Sequence, residues 1–183
     1  LNLTLLYNTL TEGDAPVPSG GYVSLSGTTP TSVTVSLASS DTTELLVPAT
    51  VTVSAGSSSS NYFSLTAVDD VIFDGTQSVT LTASAATFVN ASKTLTIQDN
   101  DVLSLSVTLP PALSEGAGPN AGQGTVSIGV ETASLIDVAL ASSSPARLSI
   151  PASVSIAPGQ SSATFALSPI DDRIAEGDQV VTI

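Results

Sequence analysis

The sequence predicts an all-β chain of two tandem antiparallel sandwiches, and three observations carry that prediction. Apolar residues alternate with Ser and Thr in short runs, a period of two rather than 3.6. Gly, Pro, Asp and Ser punctuate those runs. The whole pattern then recurs, Leu10-Thr-Glu12-Gly13 matching Leu113-Ser-Glu115-Gly116 at an offset of 103 residues.

The elements follow in order. Alternation opens at Leu1-Asn-Leu3-Thr-Leu5 and returns at 22–25, 33–37, 51–53, 63–65, 79–81 and 95–97. Each run offers Val, Leu or Ile to one face and Ser or Thr to the other, as a sheet with one wet face requires. Seven such strands in about a hundred residues is an immunoglobulin-like arrangement. No window of a dozen residues shows helical spacing of apolar positions.

The repeat continues with Val35-Ser-Leu-Ala-Ser-Ser40 and Val138-Ala-Leu-Ala-Ser-Ser143, then Val47-Pro-Ala-Thr-Val51 and Ile150-Pro-Ala-Ser-Val154. Val68-Asp-Asp70 matches Ile170-Asp-Asp172, the offset slipping to 102. These matches place one module at 1–101 and a second at 102–183, with Leu103 starting the next strand. The second is incomplete at its C-terminus: its sixth strand has barely begun at Ile183, and the counterpart of 91–101 is absent. An unpaired edge of this kind invites an added strand. The expectation is a longer parent chain or a strand from a neighbouring subunit.

Composition narrows the function. Apolar residues make up 42% and aromatics 4%, with no Trp, so Val, Leu, Ile and Ala must build the core. Charged residues are 10%, against about 25% in ordinary soluble domains, the look of a secreted β-protein. The net charge is −13, with Lys93, Arg147 and Arg173 opposing sixteen acids. Nucleic acid and anionic membrane are poor partners, because both need clustered basic residues. A divalent cation is favoured. With no Cys there is neither disulfide nor thiolate site, which leaves an extracellular location open. No apolar run approaches the eighteen residues of a membrane span, and no basic, then apolar leader begins at Leu1. With no His and no Cys, a serine nucleophile lacks its usual base, so no enzyme is expected.

The ligand chemistry is concentrated in acids. Glu12, Asp69, Asp70, Asp74, Asp99 and Asp101 recur as motifs in the first module, and Glu115, Asp171, Asp172 and Glu176 in the second, whereas 15–68 holds only Asp41 and Glu44. A sandwich can bring an early turn, a later loop and the exit of its last strand to one pole. Carboxylates crowded there repel and raise one another's pKa. Calcium relieves this, taking six to eight oxygens in flexible geometry, whereas magnesium demands a stricter octahedron. Asn100 offers a further side-chain oxygen.

Three motifs carry a resemblance: Glu-Gly after the first strand, Asp69-Asp-Val-Ile-Phe-Asp74-Gly75, and Ile97-Gln-Asp-Asn-Asp101. Together they look like the Calx-β family, immunoglobulin-like calcium-binding modules found in sodium–calcium exchangers, integrin β4 and large bacterial surface proteins. By position, the resemblance implies Glu12, Asp69, Asp70, Asp74, Asp99 and Asp101 as calcium ligands in the first module. Asp41 lies near where some relatives place another ligand, but the family's usual neighbouring motif is missing. Glu115, Asp171, Asp172 and Glu176 match in the second module, whose site is expected to be weak or empty.

The expected function is a calcium-binding structural or adhesive repeat of a cell-surface protein, metal at the junction stiffening the array. Neighbouring repeats would be its partners. Two rivals stand beside it: a ligand- or glycan-binding adhesin module, and a filament or surface-layer subunit completed by a neighbour's strand.

Overall fold

The computed structural model describes residues 1–174 and 177–183. The chain is all-β. Its first strands are β1 (Asn2–Leu5), β2 (Thr9–Thr11), β3 (Val17–Ser24), β4 (Val33–Ser39), β5 (Leu45–Leu46) and β6 (Thr50–Val53). Then come β7 (Phe63–Ala67), β8 (Ile72–Phe73), β9 (Gln77–Ser84), β10 (Ala91–Gln98), β11 (Ser106–Thr108) and β12 (Gly122–Ser127). The last are β13 (Glu131–Thr132), β14 (Ile136–Ala139), β15 (Leu148–Ser149), β16 (Ser153–Ile156) and β17 (Ser162–Pro169). Among the described residues a single 3-10 turn, Glu115–Ala117, is the only helix. None is long and apolar enough to cross a membrane.

Two compact units emerge. The first comprises Leu1–Asp70 with Gly75–Asn100, and the second Val71–Asp74 with Asp101–Ile183. In the first, one sheet runs β1-β3-β7-β5 and the other β2-β10-β9-β4-β6. The alternation dictates what lies between them. In β9 every second residue, Val79, Leu81 and Ala83, is buried, and β10 answers with Leu95 and Ile97. Leu3, Val23, Leu45, Phe63 and Leu65 from the opposite sheet close the same core. The neighbours β3–β7 and β4-β9-β10 keep the immunoglobulin-like layout. The short strand β2 pairs in parallel with β10, Leu10 opposite Ile97.

The second unit repeats that order. Its four-stranded sheet is β11-β12-β17-β15, and β14 pairs with β16, each strand a register counterpart of β1, β3, β7, β5, β4 and β6. Side chains match too: a Cβ on Gly21 would meet Phe63 Cζ at 2.7 Å, and one on Gly124 would run into Phe165 Cζ. A glycine under a core phenyl ring is thus a built feature of both repeats. Val126, Ile156, Phe165 and Leu167 are the heart of a smaller core. The Ser143 N–H donates to Thr182 O (2.9 Å), as the Ser40 N–H does to Thr80 O (2.9 Å) in the first unit.

One expected boundary moves. Leu103 does not start a strand; β11 begins at Ser106. Its partner β12 ends at Ser127 and the chain turns at Gly129, φ +89°, which leaves only the Ser104 N–H to reach Ile128 O at 2.8 Å.

Candidate metal centre

The site grows from one end of the first unit. Past β2, the Glu12 N–H donates to Gln98 O (3.0 Å), carrying the parallel ladder with β10 one residue further. That contact fixes Glu12 at the pole, with only 4% of its surface exposed. Gly13 follows at φ +71°, where a Cβ would lie 2.8 Å from Asn100 Nδ2 and 3.1 Å from Asp69 Oδ1. The Glu-Gly pair is therefore required by space as well as by backbone conformation.

Three further segments converge on it. Glu44, 5% exposed, ends a turn in which the Leu45 N–H donates to Asp41 O at 3.1 Å. Its own carbonyl accepts from the Val68 N–H at 2.9 Å, which brings in Asp69 and Asp70. From the exit of β10, Asp99 Oδ2 accepts from the Gly75 N–H at 2.7 Å. Asn100 Nδ2 donates both to Glu12 O (3.0 Å) and to Asp69 Oδ1 (3.0 Å), stitching the three segments together.

The carboxylates crowd as a result. Oxygens of Glu12 and Glu44 lie within 4.8 Å of one another, as do those of Glu12 and Asp70. Glu12 Oε2 is buried and has no hydrogen-bond partner among the described residues. Burial pushes the Glu12 carboxyl up from 4.5 to about 7, helped by a hydrogen bond to Glu44 that needs a proton, and by the charges of Glu44, Asp70 and Asp99. Such a cluster must hold a proton, hold a cation or stand under strain.

The sequence-derived residues divide as follows. Glu12, Asp70 and Asp99 share this pole, with Asp69 exposed at its edge and Asn100 bridging. Asp74, after β8, and Asp101 are half-buried and belong to the second unit's segments, each one residue from a first-unit residue, Gly75 or Asn100. Asp41 is exposed and caps its own turn: its Oδ1 accepts from the Thr43 N–H (2.9 Å) and hydroxyl (2.5 Å), which holds its pKa down. In the second unit Glu115 starts the 3-10 turn, and its Oε1 lies 3.7 Å from Arg147 Nη1. Asp171 and Asp172 are exposed, each accepting from the backbone two residues on, the Arg173 N–H (2.8 Å) and the Ile174 N–H (2.9 Å). Glu176 lies outside the described residues.

Glu44 is the residue that sequence reasoning missed. Nothing local marks it; it reaches the pole because β5 pairs with β7, Leu45 opposite Ala67.

Asn100→Ala removes two of the stitching hydrogen bonds. At about 1 kcal/mol each, the first unit is expected to lose 1–2 kcal/mol, roughly, in chemical denaturation. A loss of under about 0.3 kcal/mol would make Asn100 a bystander.

No protein-family profile matches this chain, and no curated protein does. Among solved structures, one described as CBD12 from CALX1.2 aligns at 13% identity and TM-score 0.43, over 94% of this chain and 76% of that one. The Pseudomonas aeruginosa CupB2 chaperone aligns at 13% identity and TM-score 0.41, over 98% and 97%. A carbohydrate-binding protein from Bacteroides ovatus aligns at 8% identity and TM-score 0.37, over 86% and 53%. Likeness at this level assigns no function.

Proposed function

We propose that this chain is a calcium-binding structural module of an extracellular or cell-surface protein, with the ion held at the pole of the first unit. The observation that carries the reading is Glu12: a buried carboxylate beside Glu44, Asp70 and Asp99, with one oxygen lacking a hydrogen-bond partner. A divalent cation supplies the missing partner and offsets the repulsion. Calcium suits the donor set best, since all donors are hard oxygens drawn from four separate segments, and calcium tolerates irregular geometry.

The chain's own residues determine what binding would do. Glu12 follows β2, Glu44 precedes β5, Asp70 follows β7 and Asp99 follows β10. An ion among them ties the ends of four strands and orders Asp99–Asn100, through which the chain leaves the first unit. The module's role is accordingly mechanical: a repeat whose exit is fixed when calcium is present.

Limited proteolysis with elastase tests this. At 1 mM calcium and a dissociation constant near the ~10⁻⁴ M of extracellular modules, cleavage within 68–75 and 98–101 is expected to slow about tenfold relative to EGTA. Equal cleavage in both conditions would remove the calcium reading.

A further inference from the structure

At one aligned position the two repeats carry opposite charges. Register aligns Glu12 with Glu115 and Glu44 with Arg147, each 103 residues apart. The backbone alignment is structural as well. The Val68 N–H donates to Glu44 O at 2.9 Å, and the Ile170 N–H donates to Arg147 O at 2.9 Å. Leu45 and Leu148 likewise close the same turn, onto Asp41 O (3.1 Å) and Ser144 O (3.0 Å). Where the first unit sets two carboxylates against each other, the second sets a guanidinium 3.7 Å from a carboxylate.

We infer that Arg147 is a built-in counter-ion, standing in the second repeat where the first repeat requires a cation. A fixed guanidinium neutralises Glu115 at every calcium concentration, so the second unit's pole holds its conformation without a metal. Its surroundings agree. Gly116, the counterpart of Gly13, keeps an ordinary φ, and a Cβ there would meet none of the described residues within 4 Å. Asp171 and Asp172 each spend an oxygen on their own turn backbone. The pair is partly exposed, Arg147 at 31% and Glu115 at 38%. Its strength is that of a screened surface pair, enough to orient a turn but not to hold the unit together.

This inference rests on the proposed calcium site only by contrast, and the experiment keeps the two apart. Hydrogen exchange is followed on the full chain in EGTA and in 10 mM calcium. In the wild type, exchange at 112–117 and 147–149 is expected to be the same in both. Arg147→Gln speeds it about two- to fivefold, the range for a partly exposed pair, and Arg147→Lys, which keeps the charge, restores the wild-type rate to within about twofold. Calcium-dependent slowing at those residues in the wild type would overturn the inference. So would an Arg147→Lys protein as fast as Arg147→Gln, because packing rather than charge would then explain the effect. Residues 12–14 and 98–100 report the first-unit site separately: if calcium leaves them unchanged, that reading fails while the result for Arg147 stands.

Discussion

Glu12→Gln is expected to stabilise the metal-free first unit at pH 8 and to abolish its response to calcium. Glu12 is 4% exposed and sits against Glu44, with Asp70 and Asp99 adding repulsion. Its carboxyl is raised from 4.5 to about 7, so keeping it ionised at pH 8 costs on the order of 3 kcal/mol, at 1.36 kcal/mol per pH unit. Glutamine has the same shape and no charge, and its amide hydrogens meet acceptors on every side. At several degrees per kcal/mol for a domain of this size, melting in EGTA should rise by roughly ten degrees or more. The wild type should instead gain from calcium: about 2.7 kcal/mol at a hundredfold excess over the dissociation constant. Calorimetric melts in EGTA and in 10 mM calcium separate the two proteins. If Glu12→Gln gains as much from calcium as the wild type, Glu12 is not a ligand.

What the sequence revealed followed from what is local. Strands β7, β9 and β10 were legible because a period of two in Val, Leu and Ala is enough to bury one face. The register of the repeat was legible because the same pattern occurs twice. Three-residue β2 was not, since its pairing with β10 lies some 87 residues away, Thr9 opposite Thr96, and so short a run carries no period. The acids divide the same way. Glu12, Asp70 and Asp99 stand in recognisable motifs, whereas Glu44 stands alone in an ordinary turn and joins them only through the β5–β7 pairing. A signal for it did exist: the aligned tracts around 35–51 and 138–154 put Glu44 opposite Arg147. A charge reversal at one register position within matching tracts marks a place where charge matters.

The same buried carboxyl sets how stability responds to pH. Glu12 titrates near 7 in the folded chain and near 4.5 when unfolded, so between those values the native state holds a proton that the unfolded state does not. Stability therefore falls as pH rises: the contribution is complete below about 4.5 and lost as pH passes through about 7. Asp41, whose pKa is held down, acts only at acid pH below this window, and with the opposite sign. Metal-free melts from pH 5 to pH 8 should lose on the order of 3 kcal/mol, and Glu12→Gln should flatten the curve. Calcium competes with that proton, so its stabilisation should be greatest above pH 7 and fade toward pH 5. The two profiles slope in opposite directions because one site holds either the proton or the ion. A metal-free first unit whose stability rises from pH 5 to pH 8 would mean that Glu12 is ionised and already satisfied, leaving no carboxylate in need of a cation.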